Sequence, residues 1–248
     1  MQFAIGLFVS LVSSCISVQE LSVEEILDNV EGAEVVSLTA TVSYTRIDSI
    51  LERKEIRTGN LLFRKAESKK RQAAILFDTL IIGRRREEKV KHYIFSGRWM
   101  AEVDHANKQF IKRELVAPGA EDIDPFELGS GPIPLPIGQT KESVLSKFIV
   151  EKIERPADGP LSKLSDNVIG LHLVPKTEDE WEYIDLFYDK TSWLPVGVQT
   201  VEDDGTKRVS RLTNMQVNAL SEEDASLLNI NTPDPKEWSI DIRPWPVE

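Results

Sequence analysis

The stretch Tyr183 to Asn218, YIDLFYDKTSWLPVGVQTVEDDGTKRVSRLTNMQVN, leaves a folding chain little choice. Runs of alternating character are joined first by DKTSW and then by EDDGTK. Period-two alternation belongs to β-strands, and short turn-forming links make successive strands pair antiparallel. The segment therefore reads as three strands in a row. The first carries bulky apolar side chains on both phases, Ile184, Leu186 and Tyr188 on one and Tyr183 and Phe187 on the other. The stretch holds no cysteine, no histidine and no nucleophile with a base beside it. It offers oily surface and no chemistry.

The same signal recurs. Val35–Ile47 sets Val36, Leu38, Ala40, Val42 and Tyr44 against Ser and Thr, and Ile56–Lys65, Gln72–Gly83 and Lys91–Asp104 follow, the last broken by a Ser96-Gly97 turn. Short strands at this spacing build a meander or a barrel. Helices are few. Ser22-Val23-Glu24-Glu25 is a capping box followed by the apolar stripe Ile26, Leu27 and Val30, ended by Gly32. KESVLSKF, begun by Gln139 or Thr140, is a short helix, and LSEEDASLLNI a helical turn with Ser221 at its start. Between Val116 and Gln139, prolines and glycines forbid a regular strand, yet Ile123, Phe126, Leu128, Ile133, Leu135 and Ile137 remain. A long loop with apolar residues suggests a flap over something oily.

At 248 residues the chain suits one large domain, because all-β units of about 200–250 residues are common. The expected division is an export signal over 1–20, one domain over 21–238 and an extended tail over 239–248. A formal charge of −11 argues against general nucleic-acid binding. Glu52–Arg113 nevertheless holds 17 Lys/Arg against 8 Asp/Glu, while the remainder holds 13 against 33. Two readings of that basic segment stand: solvated hairpin edges that discourage strand pairing between molecules, and a positive face for anionic headgroups or an acidic partner. Phe3–Val12 is an apolar run too short to span a bilayer and is followed by small residues, the layout of an export signal. Val12-Ser13-Ser14-Cys15 fits a bacterial lipobox, with Cys15 acylated, and ordinary cleavage nearby is the other reading. Either way no cysteine follows Cys15, so disulfides and thiolate metal sites are excluded from the mature chain.

Catalytic signatures are missing. His92, His105 and His172 show no metal-ligand spacing, and Gly129-Ser130-Gly131 is not a nucleophile elbow. Glu121, Asp122, Asp124 and Glu127 read as a solvated acidic loop. No phosphate-cradling glycine loop occurs, and no cofactor is implied.

The order of these pieces resembles the LolA-like periplasmic lipoprotein carriers and related lipid-binding lipoproteins. The matching pieces are the capped helix, the long Thr/Ser-rich strand, GNLLFRK (Gly59–Lys65), FSGRWM (Phe95–Met100), LFYDKTSWLPVGV with DDGT, LTNMQVN (Leu212–Asn218) and TPDPKEW, together covering roughly Leu21 to Trp238. The resemblance implies a mainly β (α+β) fold, a strongly curved antiparallel sheet forming an unclosed barrel covered by short helices, around an apolar cavity for acyl chains. It implies a non-enzymatic, monomeric carrier or receptor, exported to the periplasm or anchored through Cys15. Its partners would be the acyl chains of lipoprotein or lipid, an inner-membrane release complex and an outer-membrane acceptor. The alternative is a ligand-free envelope interaction or regulatory module on the same fold. Alternation gives the candidate lining as Leu61, Phe63, Ile75, Phe77, Phe95, Trp99, Leu171, Leu173, Ile184, Leu186, Val196, Val198 and Met215. In the carriers an arginine followed by proline latches the lid. Here those places hold Lys65 and Ala66, which directs the latch to Arg64 or Lys65.

Overall fold

The computed structural model describes residues 21–65, 71–120, 124, 126, 128, 137–178 and 181–246. Residues 1–20, the expected export signal with Cys15, lie outside the described residues, as do Glu121, Asp122, Glu127 and the apolar Ile123, Ile133 and Leu135. Strands account for 51% and helices for 12% of the structure. Among the described residues no helix is long and apolar enough to cross a membrane.

Helix α1 (Val23–Glu31) begins where the capping box places it: Ser22 Oγ accepts from Glu25 N at 3.2 Å, and Glu25 Oε2 accepts from Ser22 N at 2.8 Å. Its apolar stripe, Ile26, Leu27 and Val30, is buried against the sheet. Strands β1 (Ser37–Ile47), β2 (Lys54–Lys65), β3 (Arg71–Ile82), β4 (Arg85–Ser96), β5 (Trp99–Asp104) and β6 (Gln109–Glu114) form one antiparallel meander. Helix α2 (Lys141–Lys147), capped by the Thr140 hydroxyl, opens the second half. A second meander follows: β7 (Phe148–Ile153), β8 (Val168–Pro175), β9 (Trp181–Asp189), β10 (Pro195–Glu202) and β11 (Lys207–Val217). Helix α3 (Glu222–Ser226) and strand β12 (Ser239–Arg243) end the fold. The first residues of the expected tail are thus a strand, paired in parallel with β6.

All twelve strands belong to one sheet, ordered β12-β6-β5-β4-β3-β2-β1-β11-β10-β9-β8-β7. The two meanders are sewn together by β1 and β11, with Leu38 opposite Val217 and Ile47 opposite Lys207. The outermost strands β12 and β7 do not pair, so the barrel stays unclosed. Bulges interrupt the register at Thr39/Thr41, Thr58/Gly59 and Phe77/Thr79, and each bends and twists its strand. Gly59 is required at its bulge: a Cβ there would lie 2.0 Å from the Leu76 carbonyl oxygen.

The inner face carries the main core, to which β1–β4 and β7–β11 contribute along with α1, α2 and three residues of the 116–139 segment. The outer face is covered in two places. Leu62, Ala74, Ile94, Ala101 and Phe110 pack under Leu228 and the chain around Trp238 and Ile240. Phe187 and Val209 pack under Leu161 and Leu164 of the 3₁₀ turn Pro160–Lys163. This explains the doubly apolar β9: Ile184, Leu186 and Tyr188 face inward, and Phe187 faces the 3₁₀ turn. Some of the basic charge of the first meander is paired locally, Lys91 of β4 with Glu102 of β5 at 2.6 Å and Arg98 of the β4–β5 turn with Glu114 of β6 at 2.7 Å.

Candidate lipid-binding cavity

Inside the curve lies a cavity of about 270 Å³. Tyr44 of β1, Arg57 of β2, Ile75 and Phe77 of β3, and Tyr93 and Phe95 of β4 line one side. Met100 of β5, Trp181 of β9, Val198 of β10, and Arg208 and Ser210 of β11 complete it. Phe95 and Trp181 stand six strand-to-strand steps apart in the sheet order. On a flat sheet that is about 29 Å at ~4.8 Å per step, so two residues lining one small cavity require a strongly curled sheet. The cavity is at the lower limit of small-molecule pockets, which run from about 300 to 1,000 Å³.

Part of its apolar wall is aromatic and interlocked. Phe77 meets Tyr44 at 6.0 Å and Tyr93 edge-on at 6.2 Å between ring centroids. Burial pushes the Tyr44 phenol up, with Arg208 and Arg46 pulling against that rise.

Above the inner face sit three side chains of the 116–139 segment. Phe126, Leu128 and Ile137 are all buried in the main core, and Phe126 packs edge-on against Phe63 at 5.1 Å. An arginine helps to hold them. Arg71, at the start of β3, donates from Nη1 to Asp124 Oδ2 at 2.6 Å and to the Ile137 carbonyl at 2.7 Å, and from Nη2 to the Gly138 carbonyl at 2.9 Å. Gln139 Nε2 donates to the Phe126 carbonyl at 3.0 Å, and Phe126 N to Asp124 Oδ1 at 3.0 Å. The planar fork of a guanidinium suits this convergence of a carboxylate and two carbonyls, where a lysine would offer one point. Helix α2 continues the cover and is tied to α1 through Lys141, which pairs with Asp28 and whose backbone N–H donates to Glu31 at 2.9 Å.

The expected lining residues divide in three. Leu61, Phe63, Leu171, Leu173, Ile184 and Leu186 are buried in the main core of the inner face, with Met215 packed against it. Ile75, Phe77, Phe95 and Val198 line the cavity itself. Trp99 and Val196 lie elsewhere. The β4–β5 hairpin pairs Phe95 with Met100, so the inward phase passes to Met100, and Trp99 faces outward beneath the Lys112 ammonium at 4.5 Å. Val196 sits at an irregularity between Pro195 and Gly197 that turns it to the outer cluster with Leu161 and Leu164. Among the described residues neither latch candidate has a hydrogen bond or ion pair to the cover. Arg64 donates from Nη2 to Gln72 on the adjoining strand at 2.6 Å, Lys65 is exposed, and the fork belongs to Arg71. The polar lining residues Tyr44, Arg57, Arg208 and Ser210 escaped the sequence reading, because the β1–β11 pairing that gathers them joins distant segments.

The His172–Asp185 pair, 2.6 Å apart, also engages Gln199 at 3.1 Å, and among the described residues no group of His, Cys, Asp and Glu could hold a metal.

No model of a known protein family matches the chain, and no curated protein does. Solved structures do. MucB in the Pseudomonas aeruginosa MucA/MucB complex matches over 84% of this chain at 13% identity, TM-score 0.43, and the chain spans 60% of that MucB-complex chain. A putative outer membrane lipoprotein-sorting protein domain from Vibrio parahaemolyticus matches over 83% of this chain and 97% of its own at 12% identity, TM-score 0.38. A LolA superfamily protein from Nitrosomonas europaea matches over 82% of this chain and 97% of its own at 9% identity, TM-score 0.33. The likeness is one of chain path.

Proposed function

We propose that this chain is a non-enzymatic binding protein for acyl chains, a carrier or receptor that shelters the tails of lipoproteins or lipids in the cell envelope. The observation that carries the reading is the 270 Å³ cavity walled by Ile75, Phe77, Phe95, Met100 and Val198 inside a curled sheet. At ~30 Å³ for a group the size of water or methylene, it takes about nine such groups. Each buried CH₂ contributes about 0.8 kcal/mol, so one medium chain gains roughly 7 kcal/mol before the cost of association. A longer or second chain needs the space now filled by Phe126, Leu128 and Ile137. These are apolar, buried and held in part by one arginine, and so are suited to exchange with a ligand.

Native mass spectrometry after detergent-free purification tests the reading. Copurifying lipid, displaced by a fluorescent fatty-acid analogue, is the expected result. A chain that carries nothing and takes up no acyl probe favours the interaction module with a filled interior instead. The envelope location rests on the Phe3–Val12 run, and the mass of the mature N-terminus decides whether Cys15 is retained and acylated.

A further inference from the structure

One end of the cavity is not oily. Across β2, β1, β11 and β10 runs a rung of facing residues, Arg57, Tyr44, Ser210 and Val198. The next rung toward the strand ends places Arg46 opposite Arg208. Cross-strand partners share a face, so the arginines crowd the same side of the sheet as the Tyr44 ring. Two of these cations have carboxylate partners: Arg46 lies 3.4 Å from Asp48, and Arg208 lies 2.5 Å from Glu202. Arg57 has none within 4 Å among the described residues, and its Nη1 is buried without a hydrogen-bond partner. Arg208 Nε is buried and unpartnered as well. Glu202 Oε1, the partner of Arg208, is on its side unsatisfied too, whereas the buried donor of Arg57 has no carboxylate beside it; a buried N–H left unmade costs free energy, so Arg57 asks for an acceptor. The Arg208 guanidinium is steadied over the Trp181 ring at 5.4 Å, which fixes part of the geometry in advance.

Resting on the acyl-binding reading above, we infer that Arg57 and Arg208 receive the monoanionic head of a single-chain amphiphile whose tail runs toward Phe77, Phe95 and Met100. One negative charge balances the one unpaired guanidinium. A carboxylate or a phosphodiester supplies both that charge and the oxygen acceptors, and guanidinium groups bind either in a forked geometry. Arg208 is 42% exposed along its side chain, so the head stays at the mouth in contact with water while the tail is enclosed.

The test is calorimetric titration of the delipidated full chain with decanoate, with its uncharged methyl ester, and with lysophosphatidylglycerol and zwitterionic lysophosphatidylcholine of equal tail length. The wild type should bind decanoate or lysophosphatidylglycerol at least roughly tenfold more tightly than the neutral or zwitterionic counterpart, as a charge-assisted hydrogen bond implies. Whichever anion shows the preference identifies the head as carboxylate or phosphodiester. Arg57→Gln breaks no ion pair among the described residues and should bring the ratio of charged to uncharged affinities to within about twofold of one. Equal binding of charged and uncharged amphiphiles overturns the headgroup inference and leaves the cavity reading intact. Binding of none overturns both. A uniform loss across all four ligands in a folded Arg57→Gln variant would show that the arginine only shapes the wall.

Discussion

Replacing Arg71 by methionine keeps the aliphatic stem and removes the fork that holds the cover. Three hydrogen bonds go, to Asp124, Ile137 and Gly138, at 2.6, 2.7 and 2.9 Å. Hydrogen bonds to charged groups contribute about 1.5–3 kcal/mol each when well buried, but bonds sharing one donor group do not add. Solvent also screens this cluster, since the Arg71 and Asp124 side chains are 19% and 26% exposed. A loss of about 2–4 kcal/mol in the stability of the local closed state follows, equivalent to a roughly thirty- to several-hundredfold rise in its opening constant. Burial of Phe126, Leu128 and Ile137 still opposes opening, so the sheet should remain folded. Hydrogen exchange resolved to single amides is the assay: the Phe126 amide should exchange faster by that factor, with the amides of β1 and β2 unchanged. A fluorescent acyl probe should also dissociate faster. Unaltered exchange at Phe126 in a folded Arg71→Met protein would show that apolar burial alone holds the cover, and would refute the latch.

Other outcomes follow from the same geometry. Val198→Phe puts a phenyl ring into the cavity in place of an isopropyl group, so acyl-probe affinity should fall at least roughly tenfold while the denaturation midpoint changes little or rises, because a void is being filled. Gly59→Ala forces a Cβ to within 2.0 Å of the Leu76 carbonyl and should cost about 3 kcal/mol or more in urea unfolding; a neutral result would mean that the Thr58/Gly59 bulge can relax. His92 is held down to about 4 from 6.5 by burial, with the neighbouring His105 adding to the effect. Its contribution is therefore intact above pH 6.5 and lost as pH falls toward 4, where the unfolded chain binds the proton and the folded one resists it. Discounted for partial exposure, the wild type should lose about 1–2 kcal/mol over that window relative to His92→Gln, and parallel curves for the two proteins would contradict this.

The architecture was legible wherever the physics is local. The capping box names the first residue of α1, and alternation finds the inward phase of β2, β3, β8 and β9, because side-chain direction within one uninterrupted strand follows from parity. Parity fails at corners. Trp99 shares a phase with Phe95 only if the strand runs straight on, but a two-residue turn at Gly97-Arg98 hands the inward phase to Met100. Val196 and Val198 share a phase by count, and the irregularity beside Val196 separates them. Resemblance pointed to Arg64 and Lys65 for the latch, whereas the guanidinium on Asp124, Ile137 and Gly138 is that of Arg71, a position that depends on where β3 begins. The charged end of the cavity was hidden for a different reason. Nothing near Arg57 in sequence announces Arg208, and only the meeting of β1 with β11 makes them neighbours.

That meeting has a consequence for when the protein acquires its cavity. β1 is the first strand to emerge from a ribosome or a translocation channel, and β11 is the last of the inner-face strands. Local hairpins in each meander can pair early, but the seam between them closes a very long loop, a step that high contact order makes slow. Until then the wall residues of β1–β5 and of β9–β11 belong to separate half-shells. A cavity assembled from both arrives last in the order of folding, so a partly made chain offers two half-walls and no enclosed interior.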